Sequence, residues 1–308
     1  MKKFFLSVCK ALGYFGIYLG TQFFVTYAYM FVLLILMITK SASGNHDLGN
    51  PVITNQYMDE VMQQLLDATI PITILSGLLM IVVVCLMFVV RKQKVVKALC
   101  LRKISGGTGM SVAMMGFGFN LLLGILFTLL PEAWLSSYEE AADTAFAGEL
   151  WMVAIMVGIA APVVEELVFR GLIYTRLKQG MPVAAAAVIT AVWFGMMHGH
   201  PLWIAYAAFL GLIMVWIFER TKSLFASMLF HFGYNLVAVI EMALPESMPD
   251  WLGLVMLGVG AAFSVIGVYW FLKHPKAEAE EETVEQEMTV AKEHVIDELP
   301  EKSTENLK

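Results

Sequence analysis

Eight apolar stretches, at about residues 14–38, 70–90, 110–130, 149–169, 182–198, 202–218, 223–243 and 251–272, constrain this chain more than any other feature. A helix needs about 20 mostly apolar residues to cross roughly 30 Å of hydrocarbon, and within lipid only a helix or a closed barrel satisfies its own backbone. The fifth and sixth stretches are short and would need thinned lipid or help from their flanks. Composition agrees, because 59% of the residues are hydrophobic and 15% are charged, against about a quarter charged in soluble domains. The expected fold is all-α: a polytopic transmembrane helical bundle of about eight spans. A soluble enzyme, a nucleic-acid binder and a secreted disulfide scaffold all fit such a chain poorly. Cys9, Cys85 and Cys100 are too few and too dispersed for a disulfide framework or a metal pair. Lys2, Lys3 and Lys10 before the first stretch, with Ser41-Ala42-Ser43 after it, resemble a signal peptide, but the length of the run suits an uncleaved anchor.

Charge sets the orientation. With these spans, Lys2, Lys3, Lys10, the cations of the connector Arg91–Lys103, Arg176, Lys178, Arg220, Lys222 and Lys273 all fall on one side. Lys40 alone falls on the other, and Arg170 lies within the membrane zone. The basic side is expected to be cytoplasmic, with both termini inside. The opposite loops are acidic, carrying among others Asp47, Asp59, Glu60, Asp67, Glu132, Glu139, Glu140, Asp143, Glu246 and Asp250. In the connector, charge alternates with Val95, Val96, Leu99 and Leu101, a pattern that can lie along an anionic lipid surface or simply form a positive-inside loop. Residues 275–308 hold 11 acidic and 4 basic residues and read as a solvated, disordered cytoplasmic tail with at most a short helix near Val290–Leu299.

Function is sought where the membrane contains groups it penalises. An ionised side chain at bilayer depth costs at least about 2.5–3.5 kcal/mol, so such residues face a protein interior or a wet cavity. In Glu165-Glu166-Leu167-Val168-Phe169-Arg170, Glu166 and Arg170 are four apart on one helix face and can neutralise each other. Glu165, rotated by about 100°, has no such partner. A snorkelling, interfacial placement of all three is the alternative. Phe194 and His198 are likewise four apart, so the ring can orient the imidazole, whereas His200 before Pro201 reads as a capped or interfacial residue. His231 and Asn235 share a face in an otherwise apolar segment, as catalytic donors or as a helix-packing clamp. One free carboxylate, two histidines and an amide on three helices suit the polarising of water and the stabilising of an oxyanion.

The ordered set Glu-Glu-x-x-x-Arg at 165–170, Phe-x-x-x-His at 194–198 and His-x-x-x-Asn at 231–235 resembles the CAAX-protease and bacteriocin-processing (CPBP, or Abi) family of intramembrane endopeptidases over roughly residues 110–245. The resemblance implies metal-independent hydrolysis of peptide bonds in membrane-associated protein or peptide substrates, with no cofactor and no nucleic-acid partner. Carried over, Glu165 with His198 would activate water and His231 with Asn235 would bind the oxyanion, while Glu166, Arg170 and Phe194 would support them. The cavity would lie between the fourth, fifth and seventh spans. The chain then divides into two N-terminal helices and the basic connector (1–109), a protease-like core (110–274) and the acidic tail (275–308). Zinc held by Glu165, His198 and His231 is the minor enzymatic alternative. A scaffold, immunity protein or transporter is the non-catalytic one. One tension stands: at about 1.5 Å per residue, His231 sits about 12 Å from the basic side and His198 about 25 Å, so straight upright helices would not bring them level.

Overall fold

The computed structural model describes residues 1–43, 50–244 and 249–273. The acidic tail, Asp47 and Glu246 lie outside these residues. The chain forms α1 (Lys2–Ser43), α2 (Pro51–Asp67), α3 (Thr69–Val90), α4 (Gly106–Phe127), α5 (Glu132–Ala145), α6 (Leu150–Leu177), α7 (Val183–Met196), α8 (Pro201–Thr221), α9 (Leu224–Met242) and α10 (Asp250–Lys273), with no strand among the described residues. Seven of these, α1, α3, α4, α6, α8, α9 and α10, are long and apolar enough to cross a membrane. The remaining apolar stretch is α7, whose 14 residues rise only about 21 Å.

Contacts between helix ends define a basic end of the bundle. A Cβ on Gly180 would strike Ser7 at the start of α1. Lys178 pairs with Glu219 near the end of α8, and Arg220 donates to the Phe271 and Leu272 carbonyls of α10. Ser223 and Leu224, opening α9, bond the connector carbonyls of Arg102 and Cys100. The two ends of α7 therefore lie apart, because at its far side His200 bonds Ser137 of α5 and packs on Tyr138 and Trp203. The short α7 still carries the chain across the bundle.

Two helices occupy segments that the sequence marks as acidic loops. In α5, Tyr138 packs on Phe127, His200 and Trp203, so one aromatic residue anchors a largely polar helix that hydropathy alone would read as loop. In α2, Glu60 pairs with Lys40 of α1. Helix entries follow local chemistry: Ser105 caps α4 by accepting from the Thr108 N–H, and His200 caps α8 by accepting from the Leu202 N–H at 3.3 Å.

Missing side chains set the position of α9. A Cβ on Gly116 of α4 would collide with the Phe230 carbonyl of α9, and one on Gly233 of α9 would collide with the Ala113 carbonyl. The two backbones are thus in direct contact, as small residues allow in lipid, and Asn120 Nδ2 donates to the Tyr234 carbonyl at 2.9 Å. Gly116→Val is expected to destabilise the protein by about 1–3 kcal/mol, since backbone cannot yield to the added methyl groups. Gly124→Val on the same helix meets open space and should leave the thermal melting temperature almost unchanged.

Candidate active site

The site is built on α6, which is not uniformly α-helical. Met156–Ala160 and Leu167–Tyr174 are π-helical, on either side of a short α-helical piece, Ala161–Glu166, that ends in Glu165 and Glu166. Such stretches interrupt the regular backbone ladder and commonly mark functional sites. Asn235 Nδ2, from α9, donates to the Val157 carbonyl of the first π-helical stretch at 2.7 Å, tying the two helices together beside the glutamates.

Glu166 and Arg170 are wholly buried, not interfacial. Arg170 Nη1 donates to Glu166 Oε1 at 2.6 Å with both side chains 0% exposed. Nη2 donates to the Gly211 carbonyl of α8 at 3.1 Å, and the guanidinium lies 4.5 Å from the centre of the Phe194 ring. Arg170 thereby joins α6, α7 and α8.

His231 stands between the two carboxylates. Its Nδ1 is 3.3 Å from Glu166 Oε1 and its Nε2 is 3.9 Å from Glu165 Oε2. That Glu165 oxygen is buried and has no hydrogen-bond partner, although the side chain as a whole is 21% exposed. Glu166 is thus held by Arg170 and His231 through Oε1 alone, its Oε2 being buried without a partner, whereas Glu165 Oε2 has no hydrogen bond and its side chain is partly exposed.

His198 makes no hydrogen bond to either glutamate among the described residues. It lies just past the end of α7 and turns back, placing Nδ1 3.0 Å from the Phe194 carbonyl. A carbonyl can only accept, so Nδ1 is the donor and Nε2 takes no part in this bond. The Phe194 ring packs on His198 at 5.0 Å and on His231 at 5.9 Å. Two histidines that helix counting places at different depths thus pack on one ring.

The first span also reaches the site. Tyr18 of α1 lies within electrostatic reach of Glu165 and beside Gln22, whose Oε1 accepts from Ser76 of α3 at 2.7 Å. Phe169 packs on Phe15 and Tyr18 of α1 as well as on Phe194. Charge-seeking along the sequence overlooks these residues because they are neutral, though Tyr18, Gln22 and Ser76 are visible as polar positions in apolar runs.

Residues 147–237 match the family model described as type II CAAX prenyl endopeptidase Rce1-like. The match is a similarity over less than a third of the chain. The matched segment extends from just before α6 into α9 and includes Glu165, Glu166, Arg170, Phe194, His198, His231 and Asn235. The match bears out the resemblance of the motifs to the CPBP family and supports a protease of the CAAX type, in an integral membrane protein with seven apolar helices. Neither a curated protein nor a solved structure matches the chain. Among the described residues no three His, Cys, Asp or Glu side chains are grouped closely enough to hold a metal ion.

Proposed function

We propose that the protein is an intramembrane endopeptidase that hydrolyses peptide bonds of membrane-associated protein or peptide substrates, with Glu165 as the base that activates water. The observation that carries this reading is that Glu165, 21% exposed, has an unpartnered Oε2 3.9 Å from His231 Nε2, while the wholly buried Glu166 is ion-paired to Arg170 through Oε1. Glu165 takes a proton from water as the oxygen attacks the scissile carbonyl carbon. His198, held through Nδ1 by the Phe194 carbonyl, helps to hold that water. The carbonyl oxygen, now negative, needs donors in a dry cavity, where they act most strongly. Asn235 has two amide N–H groups, and Val157 takes only one of them. His231, whose Nε2 faces Glu165 at 3.9 Å, supplies the second donor. The proton held on Glu165 then passes to the leaving amine as the C–N bond breaks.

The test is cleavage of a library of membrane-anchored peptides by the purified full chain in detergent. Products that appear with wild type and persist in strong chelator, from protein carrying well under one zinc per chain, are the expected result. Stoichiometric zinc whose removal abolishes cleavage would transfer the mechanism to a metalloenzyme.

The basic end of the bundle is cytoplasmic in this reading, by the bias of Lys and Arg toward the inside. Reporter fusions after Ser105 and Ser137 should report cytoplasmic and non-cytoplasmic locations respectively. A reversed pair would invert the bundle.

A further inference from the structure

At the basic end, a cavity of about 870 Å³ opens between the start of α1, the connector that follows α3 and the end of α6. Five cations line it: Lys10, Arg91, Lys94, Lys97 and Arg176. No acidic side chain lines it, and none of the five has an acidic partner among the described residues. Lys178 and Lys222, at the same end, behave differently, since both pair with Glu219.

Two of the five are organised from below. Tyr14 is 6% exposed; its hydroxyl accepts from Arg91 Nη1 at 3.0 Å, and the Arg176 guanidinium lies 5.8 Å from its ring centre. One buried aromatic thus gathers guanidinium groups from two separate elements, while Gly13, Ile17 and Met87 provide an apolar wall. A positive-inside loop needs its charges only on the correct side, where dispersal in water would separate them. Convergence of five like charges around a cavity with an apolar wall implies an anion that itself has an apolar part.

We propose that this cavity holds the phosphate-bearing headgroup of an anionic membrane phospholipid, with the start of its acyl chains against Ile17 and Met87. The site is separate from the glutamates and does not depend on the proteolytic reading. Native mass spectrometry of the full chain in micelles containing equal phosphatidylglycerol and phosphatidylcholine tests it. Wild type should retain phosphatidylglycerol preferentially. Lys94 and Lys97 are exposed, so K94Q/K97Q should fold normally and reduce that preference by about thirtyfold, since each basic residue near an anionic surface contributes about 1 kcal/mol. K2Q/K3Q removes the same charge from exposed positions at the same end, outside the cavity, and should retain the preference. Tyr14→Phe, which keeps the ring but releases Arg91, should weaken retention by a smaller factor. Equal retention of both lipids, or equal loss in the two double variants, would overturn the proposal. So would displacement of phosphatidylglycerol by millimolar inorganic phosphate, because the site would then recognise a free anion without lipid.

Discussion

Glu165→Gln should lower turnover by roughly 10²–10⁴ while leaving folded yield and melting temperature near wild type, the range expected for losing a positioned general base. That loss corresponds to about 3–5 kcal/mol of transition-state stabilisation. The fold should survive because Glu165 Oε2 has no hydrogen-bond partner to lose and the nearest His231 nitrogen is 3.9 Å away. Glutamine keeps the shape and can still hold a water, so what it removes is the proton acceptor. Single-turnover cleavage of a membrane-anchored peptide, measured beside a thermal melt in the same detergent, separates the two quantities. A scaffold or transporter would keep its function with this substitution. Full cleavage activity in Glu165→Gln would end the assignment of Glu165 as base.

The parts of this site legible in the sequence are those in which charge meets lipid. Glu166 and Arg170 announce each other by a four-residue step, and their complete burial follows from the apolar run Gly171–Tyr174 before the next cations. His231 and Asn235 stand out for the same reason. The spacing could not say which of their atoms meet. Asn235 meets Val157 in a stretch where α6 is π-helical, and a departure from the regular ladder leaves no periodic signature. Nor does helix counting foresee that His198 lies beyond the end of α7 and turns back on Phe194, since a short helix and a long one give the same apolar run. Tyr18 was hidden differently: its contact with the Glu165 environment depends on how α1 packs against α6, a long-range choice that no local pattern encodes. The helices α2 and α5 escape a hydropathy reading because each is polar over most of its surface and is held by a few residues, Glu60 in α2 and Ser137 and Tyr138 in α5.

Glu166→Gln should behave in the opposite sense to Glu165→Gln, with stability falling along with activity. The substitution leaves hydrogen-bonding oxygen available to Arg170 and His231 but removes the negative charge beside a guanidinium that is 0% exposed. Breaking one side of a buried pair in this way typically costs about 3–5 kcal/mol, because the remaining charge cannot return to water. The Gly211 carbonyl and the Phe194 face still attract Arg170, yet neither carries a full charge. Replacing both members, Glu166→Gln with Arg170→Met, should therefore recover much of the lost melting temperature, since a thioether of similar length fills the space between α6, α7 and α8 without a charge to compensate. Activity should not return with stability, because His231 Nδ1 has lost the carboxylate that orients its ring. No substitution at position 170 should rescue Glu165→Gln, whose defect is chemical. If Glu165→Gln proved the unstable variant and Glu166→Gln the stable, inactive one, the base and the ion-pair partner would exchange places, and the uncommitted carboxylate oxygen at Glu165 would have to be assigned to holding the helices together.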